Sequence, residues 1–218
     1  KIPDGIDYLN QLLADQLYFD SSGVLKLVLA QGHMYDEETD MAISTYLDIA
    51  EHEKNTRITS EAYYNLGLIY QYHLDSLTLA KEYYDKCLAG NPVAEVRTSA
   101  LEKSSSIGKL KDFARQIKID STTTAEAIDH AAETQYQLAE LYWFSLNKPD
   151  TPILEMQYII DSFPTSQKVP QAMIALSAMI LDYKADTVAS DSILREVLVK
   201  YPGSEETPTV LEALELKG

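Results

Sequence analysis

Ala62-Tyr63-Tyr64-Asn65-Leu66-Gly67-Leu68-Ile69-Tyr70 sets Tyr63, Leu66, Gly67 and Tyr70 on one face of a helix, the i, i+3, i+4, i+7 spacing of a buried stripe. Pro92 follows Leu66 by 26 residues, and the same interval joins Leu138 to Pro164 and Leu176 to Pro202. Each leucine heads a similar stripe, with Ala139 and Tyr142 after Leu138 and Ser177 and Ile180 after Leu176. A fourth copy reads around Val28, with Leu25, Leu29 and Gly32 on the face and Lys54 where proline would stand. Val28–Leu66 and Leu138–Leu176 are each 38 residues apart, and the 72 between Leu66 and Leu138 leave room for a degenerate copy. Self-similarity at such a period marks stacked supersecondary units. About five units of 34 to 38 residues result.

Each unit reads as two antiparallel helices. In the second copy the first helix runs from Thr59 to His73, with Gly67 small where its partner approaches. A turn at Leu74-Asp75-Ser76 follows, with Asp75 or Ser76 placed to cap the next helix. That helix carries the stripe Ala80, Tyr84, Cys87, Leu88 and stops at Gly90-Asn91-Pro92. The same offsets give Ala42, Tyr46 and Ile49 in the first copy, Pro152, Met156 and Ile159 in the fourth, and Ser190, Leu194 and Val197 in the fifth. No segment alternates with period two, so the fold class is all-α.

The run 62–70 with Ala80, Tyr84 and Pro92 resembles a tetratricopeptide (TPR) repeat with one extra residue in the inter-helix turn. The resemblance implies a TPR-type α-solenoid of stacked antiparallel helix pairs in a right-handed superhelix. One domain, 1–218, would hold units 21–55, 56–92, a degenerate 93–123, 124–164 and 165–202, flanked by partial helices 4–19 and 205–218. The boundaries Phe163-Pro164-Thr165-Ser166 and Tyr201-Pro202-Gly203-Ser204 share the form aromatic-Pro-x-Ser. That form is similar to repeats of bacterial envelope TPR families, the BamD-like lipoproteins and the TPR protein of the Tol–Pal system. It implies a periplasmic or outer-membrane-associated protein, although Cys87 lies mid-helix and does not match the lipid-attachment cysteine of those lipoproteins.

Composition narrows the partner. A net charge of −16 and a pI near 4.5 exclude a general nucleic-acid binder, which needs clustered cations, and disfavour anionic lipid. One cysteine permits neither an internal disulfide nor a cysteine-based zinc site. The longest apolar stretch, Ala172 to Leu181, is ten residues, too short to span a bilayer, so this segment inserts in no membrane. The chain starts at Lys1 without a basic-then-apolar leader, which reads as a trimmed or mature fragment. No phosphate-binding glycine loop or paired metal-ligand histidines occur. Asp36-Glu37-Glu38-Thr39-Asp40 lacks the alternation of a calcium loop and suits a helix start. Ser106-Ile107-Gly108-Lys109 spells SxxK without companion motifs, and its glycine suggests a turn. The expectation is no catalysis and no cofactor.

A solenoid of this kind offers a concave face lined by first helices. Offsets −5, −2, +2 and +5 from each reference residue share the helix face beside the core. They give groove candidates Lys26 and His33 in the first copy, Tyr64 and Gln71 in the second, and Tyr136, Glu140 and Trp143 in the fourth. So few cations argue against a clamp for acidic tails. The amphipathic rings favour an extended peptide or partner helix; the competing reading has them packing between neighbouring units. Tyr72 and Tyr83, surplus to the repeat pattern, form a second candidate surface. A third is the basic strip Lys109, Lys111 and Arg115, against which stands a simple solvated face. Thr123 and Glu126 are placed as a capping box ahead of a long helix to Leu146. The function expected is a non-enzymatic scaffold binding a protein or peptide. The alternatives are an accessory TPR region of a cytoplasmic adaptor or of an enzyme whose catalytic domain is absent. Self-association stays open.

Overall fold

The computed structural model describes residues 2–119, 124–146 and 148–215, and among them the chain is all-helical. Its helices are α1 (Ile2–Ala14), α2 (Ser22–Tyr35), α3 (Thr39–His52), α4 (Thr56–Tyr72), α5 (Leu77–Ala89), α6 (Ala94–Ile119), α7 (Ala125–Glu140), α8 (Asp150–Ser162), α9 (Val169–Lys184), α10 (Thr187–Lys200) and α11 (Thr207–Glu215). A 3-10 turn, Gln16–Ser21, precedes α2, and a π-helical turn, Leu141–Ser145, extends α7. Two compact units divide the chain at Gly108/Lys109. Within each, helices pack on their sequence neighbours, and α2 also meets α4.

In the first unit, α4 and α5 show why the pairs form. An added Cβ at Gly67 would lie 2.4 Å from Cε1 of Tyr84, so only glycine lets the ring of α5 sit against the backbone of α4. Tyr84 is fully buried and its hydroxyl donates to Gln71 Oε1 at 2.7 Å. At the other end, a Cβ on Gly90 would fall 2.2 Å from Ser60 Oγ, which accepts from the Asn91 N–H at 3.0 Å. The start of α4 thus meets the end of α5, and the pair is antiparallel. The stripes Ala42/Tyr46/Ile49 and Ala80/Tyr84/Cys87 are all at most 1 % exposed. Burial pushes the Cys87 thiol up to about 11, leaving it an inert packing group.

The first copy is registered one residue later than its 38-residue spacing suggests. Ala30 is fully buried whereas Val28 is exposed, and Gly23 abuts Glu53 at the end of α3, as Ser60 abuts Gly90 at the end of α5. Leu29 therefore corresponds to Leu66. The extra residue sits in the turn after α4, four residues (73–76) against three (36–38) after α2.

Two local expectations need correction. Gly108 makes no turn: α6 runs unbroken through it and buries Ala100, Ser104 and Ile107 on one face. Ser76 stands at the N-cap of α5 without a side-chain cap bond, because Asp75 takes a left-handed φ of 49° and the turn closes through the backbone, Ser76 N–H to the Tyr70 carbonyl. Thr123 lies outside the described residues; Thr124 caps α7 by accepting from Ala127 N–H.

In the second unit, α8 buries Pro152, Met156 and Ile159, and α10 buries Ser190, Leu194 and Val197. The Ser177 and Ser190 hydroxyls bond across α9 and α10 at 2.8 Å. Both aromatic-Pro-x-Ser segments form one turn: Ser166 N–H donates to the Phe163 carbonyl and Ser204 N–H to the Tyr201 carbonyl. Phe163 and Tyr201 hold nearly the same backbone angles, φ −124°, ψ 49° and φ −130°, ψ 53°. The α9–α10 turn passes through Ala185 at φ 52°, a conformation costing alanine about 1–2 kcal/mol.

Opposite effects on stability follow. Gly67→Ala should lower it by about 1–2 kcal/mol net, since overpacking outweighs the gain in helix propensity. Ala185→Gly should raise it by about 0.5–1 kcal/mol. Urea unfolding followed by circular dichroism reads both signs.

Candidate functional site

Each unit holds a groove between consecutive first helices, built from corresponding positions. In the first unit, Gln31, Met34 and Tyr35 of α2 face Asn65, Leu68, Ile69 and Tyr72 of α4 across about 460 Å³. In the second, Glu140, Trp143 and Phe144 face Ala175, Ala178, Met179 and Asp182 of α9 across about 260 Å³, with Tyr136 also lining the space. Counted from the buried Leu29 and Leu138, the first wall is offsets +2, +5 and +6 in both. Counted from Leu66 and Leu176, the facing wall is −1, +2, +3 and +6 in both. A wider cleft of about 760 Å³ between the two aromatic-Pro-x-Ser turns has only Tyr201 as an aromatic lining.

The structure brings Tyr136, Glu140 and Trp143 together in one groove. Tyr136 is 9 % exposed and lies beneath the Lys168 ammonium, 5.1 Å from its ring centre. Lys168 also pairs with Glu133, whose carboxyl it holds below the usual range. In the first unit the Tyr64 hydroxyl lies 2.8 Å from Ser99 Oγ of α6, 35 residues on. That bond ties α4 to α6. Trp143 is half-buried in the π-helical turn, and Phe144 beside it is 75 % exposed.

The other candidates lie elsewhere. The one-residue shift of the first copy turns Lys26 toward α3, where it pairs with Asp48, and sets His33 Nδ1 2.6 Å from a Glu38 oxygen. Gln71 is 1 % exposed and bonded to Tyr84. Tyr83 packs between Tyr63 and Tyr70 with Lys86 4.9 Å from its ring centre. Tyr72 lines the first groove and accepts from Lys103 Nζ at 2.9 Å. Lys109, Lys111 and Arg115 are exposed on α6, Arg115 within 3.6 Å of Asp112. Sequence reading missed Tyr35, 77 % exposed, and Phe144. Their signal was the i+4 step from Gln31 and Glu140, which keeps offset +6 on the groove face.

Among the described residues no group of three or more His, Cys, Asp or Glu side chains is arranged to hold a metal ion. None of the described helices is long and apolar enough to cross a membrane. Burial, then the neighbouring Glu133, raises the Glu140 carboxyl pKa. An acid whose folded pKa is raised opposes folding once ionised: the penalty is absent below the unfolded carboxylate value, about 4.3, and grows as pH rises through the folded value. Glu140→Gln should therefore raise the urea midpoint at neutral pH and converge with the parent protein at about pH 4.

No protein-family model matches the chain, and no curated protein matches it.

Proposed function

We propose that the chain is a non-enzymatic scaffold whose helix pairs are TPR-type repeats stacked as solenoid segments. It holds an extended peptide, or a helix of a partner protein, in the grooves between first helices. The observation carrying this reading is the recurrence of one groove at the same repeat positions in both units, each with a half-buried side chain at +5, Met34 or Trp143, and a highly exposed aromatic at +6. Exposed rings beside a concave apolar wall are the usual anchors of protein recognition. The aromatic-Pro-x-Ser form at 163–166 and 201–204, similar to repeats of envelope TPR families, is what suggests a periplasmic or outer-membrane-associated setting.

A photo-crosslinking amino acid in place of Tyr35 or Phe144, expressed in the native source, should give discrete adducts with the same partner. One in place of Val188, 79 % exposed on α10 and outside both grooves, should give none. Adducts independent of position would refute groove binding, and recovery of the protein only in the cytosol would refute the envelope setting.

A further inference from the structure

The two grooves differ in charge at two corresponding positions. Where the second has Glu140 and Asp182, the first has Gln31 and Tyr72. Among the described residues no Lys or Arg lines either groove, and the first, which His73 also lines, has no carboxylate among its lining residues. We propose that the groove of the second unit selects an extended peptide segment carrying a Lys or Arg beside an apolar side chain, the cation against Glu140 and Asp182 and the apolar group against Trp143 and Phe144. This rests on the peptide-binding reading and names the side chains that the groove prefers.

Charge complementarity carries the assignment. Glu140 and Asp182 stand on opposite walls, and neither accepts a hydrogen bond or an ion pair from another described residue. Lys168, which partly offsets Glu140, is already paired with Glu133. Glu140 is half-buried and its ionised form is disfavoured by burial and by Glu133, so an arriving cation relieves a field that Lys168 offsets only in part. The face of Trp143 favours a cation as well. An acidic segment would meet two carboxylates, which discriminates by repulsion as well as attraction. Phe144, Met179 and the small Ala175 and Ala178 supply the apolar wall for the neighbouring side chain.

Trp143 is the single tryptophan, so its emission reports from the groove itself. The probes are acetyl-Ala-Leu-Arg-Phe-Ala-amide and its analogues with citrulline or glutamate replacing arginine. The arginine peptide should shift Trp143 emission and bind about tenfold or more tightly than the citrulline peptide at low salt. The preference should shrink at about 0.5 M salt. A Glu140→Gln/Asp182→Asn variant with unchanged helicity should bind both peptides alike. Equal binding of the two by the parent protein, tighter binding of the glutamate peptide, or a preference that survives in the double variant would overturn the charge selection and leave the groove reading standing. No emission change with any of the three would overturn both.

Discussion

The missing side chain at Gly67 is the constraint on which the first unit turns. It lets the ring of Tyr84 lie against the backbone of α4, where it is fully buried and bonded to Gln71. Burying an aromatic ring of that size contributes about 1.5–3 kcal/mol. Each corresponding position carries a small residue: Ala30 opposite the helix of Tyr46, Ala139 opposite that of Met156, Ser177 opposite that of Leu194. Close approach by one helix of each pair fixes where its partner lies, and that in turn sets the spacing of successive first helices, which frames the grooves. A hydrogen bond between Tyr64 and Ser99 further ties α4 to α6.

Much of this was legible because the second helices obey a strict i, i+4, i+7 rule. The stripes through Tyr46, Tyr84, Met156 and Leu194 are buried as their spacing demands. Register in the first copy was harder to read. A constant repeat length placed Val28 on the buried face, but the additional residue lies in a turn, and turns absorb insertions without changing either helix. Spacing could not reveal this; the burial of Ala30 and the contact of Gly23 with Glu53 do. Gly108 misled for a different reason. Glycine in a helix costs only about 1 kcal/mol, and the burial of Ala100, Ser104 and Ile107 keeps α6 continuous.

The candidate site was legible in proportion to the certainty of register. Where the leucine of the repeat was correctly identified, at Leu138, Tyr136, Glu140 and Trp143 share a groove. Where it was displaced by one residue, Lys26 turns toward α3 and His33 toward the turn before it. One residue turns a helix face by about 100°, enough to exchange a groove position for a core or interhelix one. Gln71 illustrates another limit, since a polar side chain on the expected face can be recruited by a buried hydroxyl, here that of Tyr84.

Under the proposed reading, Glu140 is a place where folding and recognition pull in opposite directions. A neutral side chain there would suit the folded chain better at neutral pH, so undirected drift should erode the carboxylate within few generations of substitution. Lineages that keep an acid at this position together with one at position 182 would bear the mark of selection acting on whatever docks there. The first groove, with Gln31 and Tyr72 in those places, carries no such burden.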